Sequence, residues 1–394
     1  MILTLLAFAV ILGLLIFVHE MGHFLVARMM GVKAEEFGFG FPPRILGVVY
    51  NAKHKKWELV KGNRYIKRKN TIYSLNWIPL GGFVKIFGED GAKKETKKNP
   101  RNFANKPVWQ RMSILVAGVA MNFLVAALIL SVGFKIGLPK AVEEGSQVSG
   151  TSRIHVVEVA PDSPAQEMQL KPGDEITQLT SGVESVAPQK VDEVVGFLGS
   201  LKGQEILMEI KRGDNVYRLR GTPRENVPLG EGALGITLTR TEIVSYPLLT
   251  SLKMGFVATY DMTKAILNAL GGMLRDLIFY GKVKGDVSGP VGIVVLTNQM
   301  AEMGFIYLLQ FAAILSINLA IINILPIPAL DGGRILFLII EKIKGSPVSS
   351  EIEQRIHLGG FYLLIALMIF ITVRDVFKFQ DKFEILWEKI VGIF

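Results

Sequence analysis

The sequence predicts a polytopic α-helical membrane protein with four transmembrane helices, a membrane-reentrant β-hairpin and one inserted β-rich extracytoplasmic domain. Three observations predict it. Half of the 394 residues are hydrophobic and the mean hydropathy is +0.37, too apolar for a pair of soluble domains. Four stretches are long and apolar enough to span a bilayer, near Ile2–Ala27, Met112–Phe134, Gly304–Ile343 and Leu358–Val373. The net charge of +9 is unevenly divided: residues 31–110 hold 17 Lys and Arg against 6 Asp and Glu, and residues 138–302 hold 16 against 20. A basic segment inside and an acidic one outside follow the positive-inside rule.

Taken in order, residues 1–30 form the first transmembrane helix. No basic residue precedes its apolar run and no small-x-small cleavage site precedes His19, so it reads as retained, with Arg28 and Lys33 inside. Residues 31–110 form a basic cytoplasmic segment with two glycine-rich apolar pieces, Phe37–Pro43 and Ile78–Phe87, each too short to span. Alternation over Phe83–Phe87, after the breaker Pro79–Gly82, suits a short strand. The pieces read as a hairpin dipping into the membrane from the inner side; lying flat on the inner surface is the alternative. Lys93–Lys106 carries no aromatic stacking platform, which argues against nucleic acid as a partner.

The second span occupies residues 111–137, and Gly118-Val119-Ala120-Met121-Asn122 within it is a small-residue packing motif against the first helix. Residues 138–247 form the extracytoplasmic module. Strand patterns at Ile154–Val159, Glu205–Lys211 and Val216–Arg220 surround a helix at Val191–Leu201. An amphipathic connector covers 248–303, and Ser288–Ile293 leads into the third span, 304–343. That span is about twice the length a straight helix needs, and Leu325-Pro326-Ile327-Pro328 explains it by breaking the helix. Irregular backbone at that depth has to line a cavity. The fourth span covers 356–375, and residues 376–394 read as an amphipathic tail on the membrane surface. Four crossings return both termini to the outside.

The chemistry starts at His19-Glu20-Met21-Gly22-His23 inside the first apolar run. Residues four apart share a helix face, so His19 and His23 can offer two ring nitrogens to one metal ion. Glu20 lies beside the first ligand, where a carboxylate can take a proton from an activated water. Two histidines satisfied by neighbouring helices is the alternative, but polar groups at this depth default to function. With no cysteine in the chain, a metal has to be held by His and carboxylate.

Asp331 is the carboxylate within another span that can complete the set. His19 lies nine residues before Arg28, about 13 Å along a helix, and Asp331 ten before Glu341, about 15 Å. The two therefore reach similar depth from the inner surface. Asp331 can also cap the restarted helix. Asn323, ahead of the break, can hold an extended substrate backbone or polarise the scissile carbonyl; a helix-to-helix hydrogen bond is its alternative, and the preferred one for Asn318.

These residues together resemble the site-2 protease family of intramembrane zinc metalloproteases, closest to its bacterial regulator-of-sigma (RseP-like) branch. The likeness rests on His19–His23, Gly118–Asn122 and Asn323–Gly332. It also includes an insert between the second and third spans whose Ser163-Pro164-Ala165 and Lys171-Pro172-Gly173-Asp174-Glu175-Ile176 elements resemble a PDZ domain. The resemblance implies Zn2+ held by His19, His23 and Asp331, Glu20 as catalytic base, and Asn323, Pro326 and Pro328 on the substrate side. A reentrant hairpin would guide the substrate, with Val84 and Ile86 offering a strand edge. The substrates implied are transmembrane proteins of the anti-sigma-factor type and remnant signal peptides. The location implied is the bacterial inner membrane, and the chain is expected to be monomeric. The best-known enterobacterial members carry two PDZ modules and this chain one. A catalytically silent PDZ adaptor would lack its base or a ligand, and both are present. A metal-dependent transporter would show paired interrupted helices, and one is visible.

Overall fold

The computed structural model describes residues 2–52, 54–62, 70–89, 99–141, 152–213, 215–228, 231–281 and 288–378. The carboxy-terminal tail expected as a surface helix, from residue 379 on, and residues 90–98 of the basic segment lie outside the described residues. Contacts divide the chain into two compact units. One comprises 1–128, 257–295 and 312–394; the other comprises 129–256 and 296–311.

α1 (Ile2–Met29), in the first unit, and α2 (Val108–Ile136), which begins there and ends in the second, are each longer than the apolar run that predicts them. With Phe305–Ile324 and Ser350–Lys378 they make four helices among the described residues long and apolar enough to cross a membrane. Between α1 and α2 the chain forms a three-stranded antiparallel sheet rather than a simple hairpin. Its strands are β1 (Ala34–Asn51), β2 (Lys56–Lys61) and β3 (Ile72–Ile86), in the order β2-β1-β3. This corrects the expectation of a break at Pro79–Gly82 followed by a short strand. β3 runs through those residues and absorbs them as register irregularities against β1. A proline is tolerated there because β3 is an edge strand.

Ala27, Val32, Ile86, Phe103, Ile114, Leu115 and Leu338 form one buried cluster that seats the end of β3 on the helices. The ion pair of Arg111 with Glu341 ties the start of α2 to the helix after the double proline.

The second unit holds the inserted module. Its strands are β4 (Leu138–Ala141), β5 (Ser152–Val159), β6 (Glu175–Ser181), β7 (Glu184–Val186), β8 (Ile206–Arg212), β9 (Asn215–Gly221) and β10 (Ile236–Val244). They form one sheet ordered β4-β10-β5-β6-β8-β9, with β7 on β6. Two helices, α3 (Pro164–Glu167) and α4 (Val191–Ser200), complete it. Ser163 caps α3 through the backbone N–H of Gln166. Ile154, Val156, Ile176, Leu179, Val194, Ile206, Met208 and Ile210 are all but fully buried in its core. The inward residues of β8 follow the period of two that predicts the strand.

The connector folds as α5 (Leu248–Tyr280) and α6 (Pro290–Met303). The stretch expected as an interrupted span folds as α7 (Phe305–Ile324) and α8 (Asp331–Lys344), of which α7 is long and apolar enough to cross a membrane and α8 is not, and the last helix among the described residues is α9 (Ser350–Lys378).

Candidate metal centre

One turn of α1 carries the first two donors because the spacing of four puts them on one face. His19 and His23 are each 5% exposed, their rings 4.7 Å apart and nearly perpendicular. Their Nε2 atoms lie 3.1 Å from one another. Such proximity of α1 to α2 depends on glycine. A β-carbon at Gly118 would stand 2.6 Å from Cε1 of His23 and 2.8 Å from Cε1 of His19. No side chain but hydrogen fits between the two rings and α2.

The third donor arrives through the broken span. Pro326 and Pro328 end α7, and Ala329 takes a left-handed backbone at φ 76°, a conformation that costs a non-glycine residue about 1–2 kcal/mol. His357 of α9 holds that turn, its Nδ1 accepting the N–H of Ala329 at 2.9 Å. Gly332 lets the restarted helix sit directly against the carbonyl oxygens of Ile324 and Leu325, where a β-carbon would collide. Asp331, first in α8, is thereby delivered to the histidines. Its Oδ2 lies 2.9 Å from Nε2 of His19 and 3.2 Å from Nε2 of His23. The cap position before it, Leu330, makes no side-chain capping bond.

His19, His23 and Asp331 form the cluster among the described residues whose three ligand atoms converge in this way. Two tests bear on whether a zinc ion fits them. Ligand bonds of 2.0–2.1 Å in a tetrahedron put neighbouring donors about 3.3 Å apart, and the three separations here are 2.9, 3.1 and 3.2 Å. The second is chemical. His23 Nδ1 donates to the carbonyl of Ile114 at 2.8 Å, the tautomer in which Nε2 carries the lone pair that a cation takes. No thiolate competes. The donor set fits zinc with one position left open.

Glu20 is half-buried beside this trio and is not part of it. Its Oε2 accepts the backbone N–H of Val84 at 3.0 Å, which leaves Oε1 to meet another group. Val84 thus touches the candidate base, a contact no periodicity announces. Ile86 is 5% exposed within the helix-backed core, so its side chain faces protein. Asn323 lies half-buried near the end of α7, Pro326 is exposed and Pro328 half-buried. Pro328 meets α9, where a β-carbon on Gly360 would stand 2.8 Å from its carbonyl oxygen. Sequence reasoning missed His357 as the support of the break, and gave Asn122 to packing alone. Asn122 is fully buried against Nδ1 of His19. An asparagine and a histidine within apolar helices are the signals that could have found them.

The family described as peptidase family M50 matches residues 7–367. The zinc metalloprotease RasP of Geobacillus kaustophilus is 29% identical over 454 residues, with 95% of this chain and 98% of that protein covered. The regulator of sigma-W protease RasP of Bacillus subtilis is 29% identical over 459 residues, with the same two shares covered. The PDZ domain of an SdrC-like protein of Listeria monocytogenes matches at 26% identity and a TM-score of 0.20, covering 24% of this chain and 93% of that one.

Proposed function

The chain belongs to peptidase family M50, the site-2 proteases, and from that premise we propose that this zinc metalloprotease cuts peptide bonds within or beside the transmembrane helices of other membrane proteins. One observation carries the reading: two imidazoles on the apolar helix α1 and a carboxylate at the start of α8 converge to within 3.2 Å. His19, His23 and Asp331 would hold the zinc. Bound there, zinc supplies Lewis acidity towards water and the scissile carbonyl.

The remaining chemistry belongs to the chain. Glu20, steadied at Oε2 by the Val84 N–H, takes the proton of the attacking water at its free oxygen and returns it to the departing amine. Asn323, ahead of the double-proline break, donates its amide to the substrate backbone or to the developing oxyanion. A helical substrate hides its peptide bonds and has to unwind, which leaves backbone groups unpaired in an apolar medium. β3 is an edge strand, and pairing with it would satisfy them. The sheet presents Phe39, Phe41, Trp57, Leu75, Trp77 and Ile78 outward, each at least 40% exposed, which supports its dipping into the membrane as a reentrant element.

The charge division supports a basic loop inside, with both termini and the inserted module outside. A relative named for regulating sigma-W supports anti-sigma-factor-type substrates, with remnant signal peptides as a second class. The module holds no cluster of zinc donors among the described residues, so it selects substrates rather than cutting them. The domain bounds expected from the sequence serve as the proposed division, with a three-stranded sheet in place of the hairpin within residues 31–110, and the proposed working unit is one chain.

The test is a pair of measurements on purified protein. Wild type should carry about one zinc per chain, and Glu20→Gln should keep it while cleavage of a membrane substrate falls by about 10²–10⁴-fold. Full activity in Glu20→Gln would sink the mechanism.

A further inference from the structure

Each candidate ligand imidazole has a second nitrogen, and α2 supplies what it meets. For His23 the partner is the carbonyl oxygen of Ile114, which can only accept. For His19 the partner is the side-chain amide of Asn122, 3.3 Å from Nδ1 through its nitrogen as placed. That placement conflicts with ligation. An amide N–H donating to Nδ1 puts the ring proton on Nε2, the atom aimed at Asp331 and His23. A protonated Nε2 has no lone pair for a metal.

The two ends of an asparagine amide are nearly isosteric, and their assignment follows from the network around them. As placed, Oδ1 of the fully buried Asn122 has no hydrogen-bond partner. Rotating the amide by half a turn brings that oxygen to His19 Nδ1. Either rotamer leaves one end without a protein partner, so that count does not choose between them. The tautomer of His19 does.

We infer that Asn122 accepts the Nδ1 proton of His19 through Oδ1 and fixes the ring in the tautomer whose Nε2 is free for zinc. This rests on the reading of His19, His23 and Asp331 as ligands. Asn122 is a positioning residue, acting on the metal through His19. Ile114, Gly118 and Asn122 are spaced by four along α2, so one stripe offers an acceptor for His23, a gap for both rings and an acceptor for His19. Ser316 of α7 anchors the same turn, its Oγ donating to the backbone oxygen of Asn122 at 2.8 Å.

The experiment is a zinc titration of the stripped full-length protein against a competing chelator, with Asn122→Asp, Asn122→Leu and His23→Ala. Aspartate accepts and cannot donate, so Asn122→Asp should bind zinc within about threefold of wild type. Asn122→Leu should bind about 10–100-fold more weakly, with cleavage recovering as zinc is raised. Nitrogen-15 and proton NMR of the zinc-loaded protein should show the His19 Nδ1 proton hydrogen-bonded and shifted downfield in wild type and Asn122→Asp, and without that shift in Asn122→Leu. Wild-type zinc affinity in Asn122→Leu, or an equal loss in Asn122→Asp, would overturn the inference. Should Asn122→Leu fail to fold, a zinc-loaded wild-type Nδ1 proton without that downfield shift would overturn it alone. Unimpaired zinc binding by His23→Ala would instead overturn the ligand reading.

Discussion

Two carboxylates, a fully buried one in the inserted module and a half-buried one in the first unit, show how differently the chain uses the same group. Asp174 of the inserted module is fully buried and complete. Arg212 donates to both its oxygens, at 2.6 and 2.7 Å, and the Lys171 N–H adds a third bond. Asp331 faces two imidazoles, whose Nε2 atoms lie 2.9 and 3.2 Å away, and among the described residues no lysine or arginine pairs with it. A carboxylate matched by a guanidinium is a finished structural link. One that faces two imidazoles, with no guanidinium or ammonium beside it, is a donor set that a divalent cation completes.

Conservative changes at both positions should break the comparison open with the largest effect. Asp331→Asn should abolish stoichiometric zinc and with it cleavage, while hydrogen exchange across β5, β6 and β8 stays as in wild type. Asp174→Asn should do the reverse, lowering the protection of those strands by about 3 kcal/mol while zinc stays at one per chain. Loss of zinc from Asp174→Asn would mean the two carboxylates are coupled and the contrast is false.

A second contrast lies within the first unit, between the backbone groups of β3 that serve the sheet and the one that serves Glu20. Val84→Pro removes that donor, with Val84→Ala as the control that keeps it. A hydrogen bond to a charged group contributes about 1.5–3 kcal/mol, so turnover should fall by roughly 10–100-fold with zinc retained. The loss should be greater for helical membrane substrates than for extended ones. Equal turnover in the proline and alanine variants would reduce the sheet to a surface element and leave unwinding to Asn323 and the break.

What the sequence disclosed follows from what is local. His19, Glu20 and His23 are legible because a helix turns distance four into one face. Asp331 is legible because a carboxylate after a double proline in an apolar run has few other reasons to be there. The strands of the module alternate, so β5, β8 and β9 are found nearly to their ends. The sheet after α1 resisted because Gly38, Gly40, Pro42 and Pro43 disguise an 18-residue strand, and because β2 pairs across a turn the pattern does not mark. Contacts bridging long separations left no local trace: Glu20 with Val84, His19 with Asn122, Ala329 with His357. Each joins a polar group to a backbone or ring whose need for a partner appears only once the helices are packed.

The smallest expected effect sharpens the comparison by turning to histidine. His19 and His23 have both ring nitrogens engaged, whereas His155 on β5 is buried for structural reasons. It is 8% exposed, with Nδ1 3.4 Å from the carbonyl of Gly173 and the ring 6.2 Å from that of Tyr307. Burial pushes its pKa below the ordinary histidine value, and Arg153 adds to this; nearby Glu175 and Asp174 oppose without prevailing. The sign follows from proton counting. Below about pH 6.5 the unfolded chain takes up a proton that the folded module declines, so this contribution is whole above that pH and is lost as acid is added, levelling off once the folded ring also titrates. One group gives at most about 1.4 kcal/mol per pH unit. Hydrogen exchange at Ile154 and Val156 should therefore report a falling opening free energy from pH 7 to pH 5, and a flatter one in His155→Gln. Parallel profiles would show that the ring gains its proton in the fold as readily as in water, and that its burial constrains nothing.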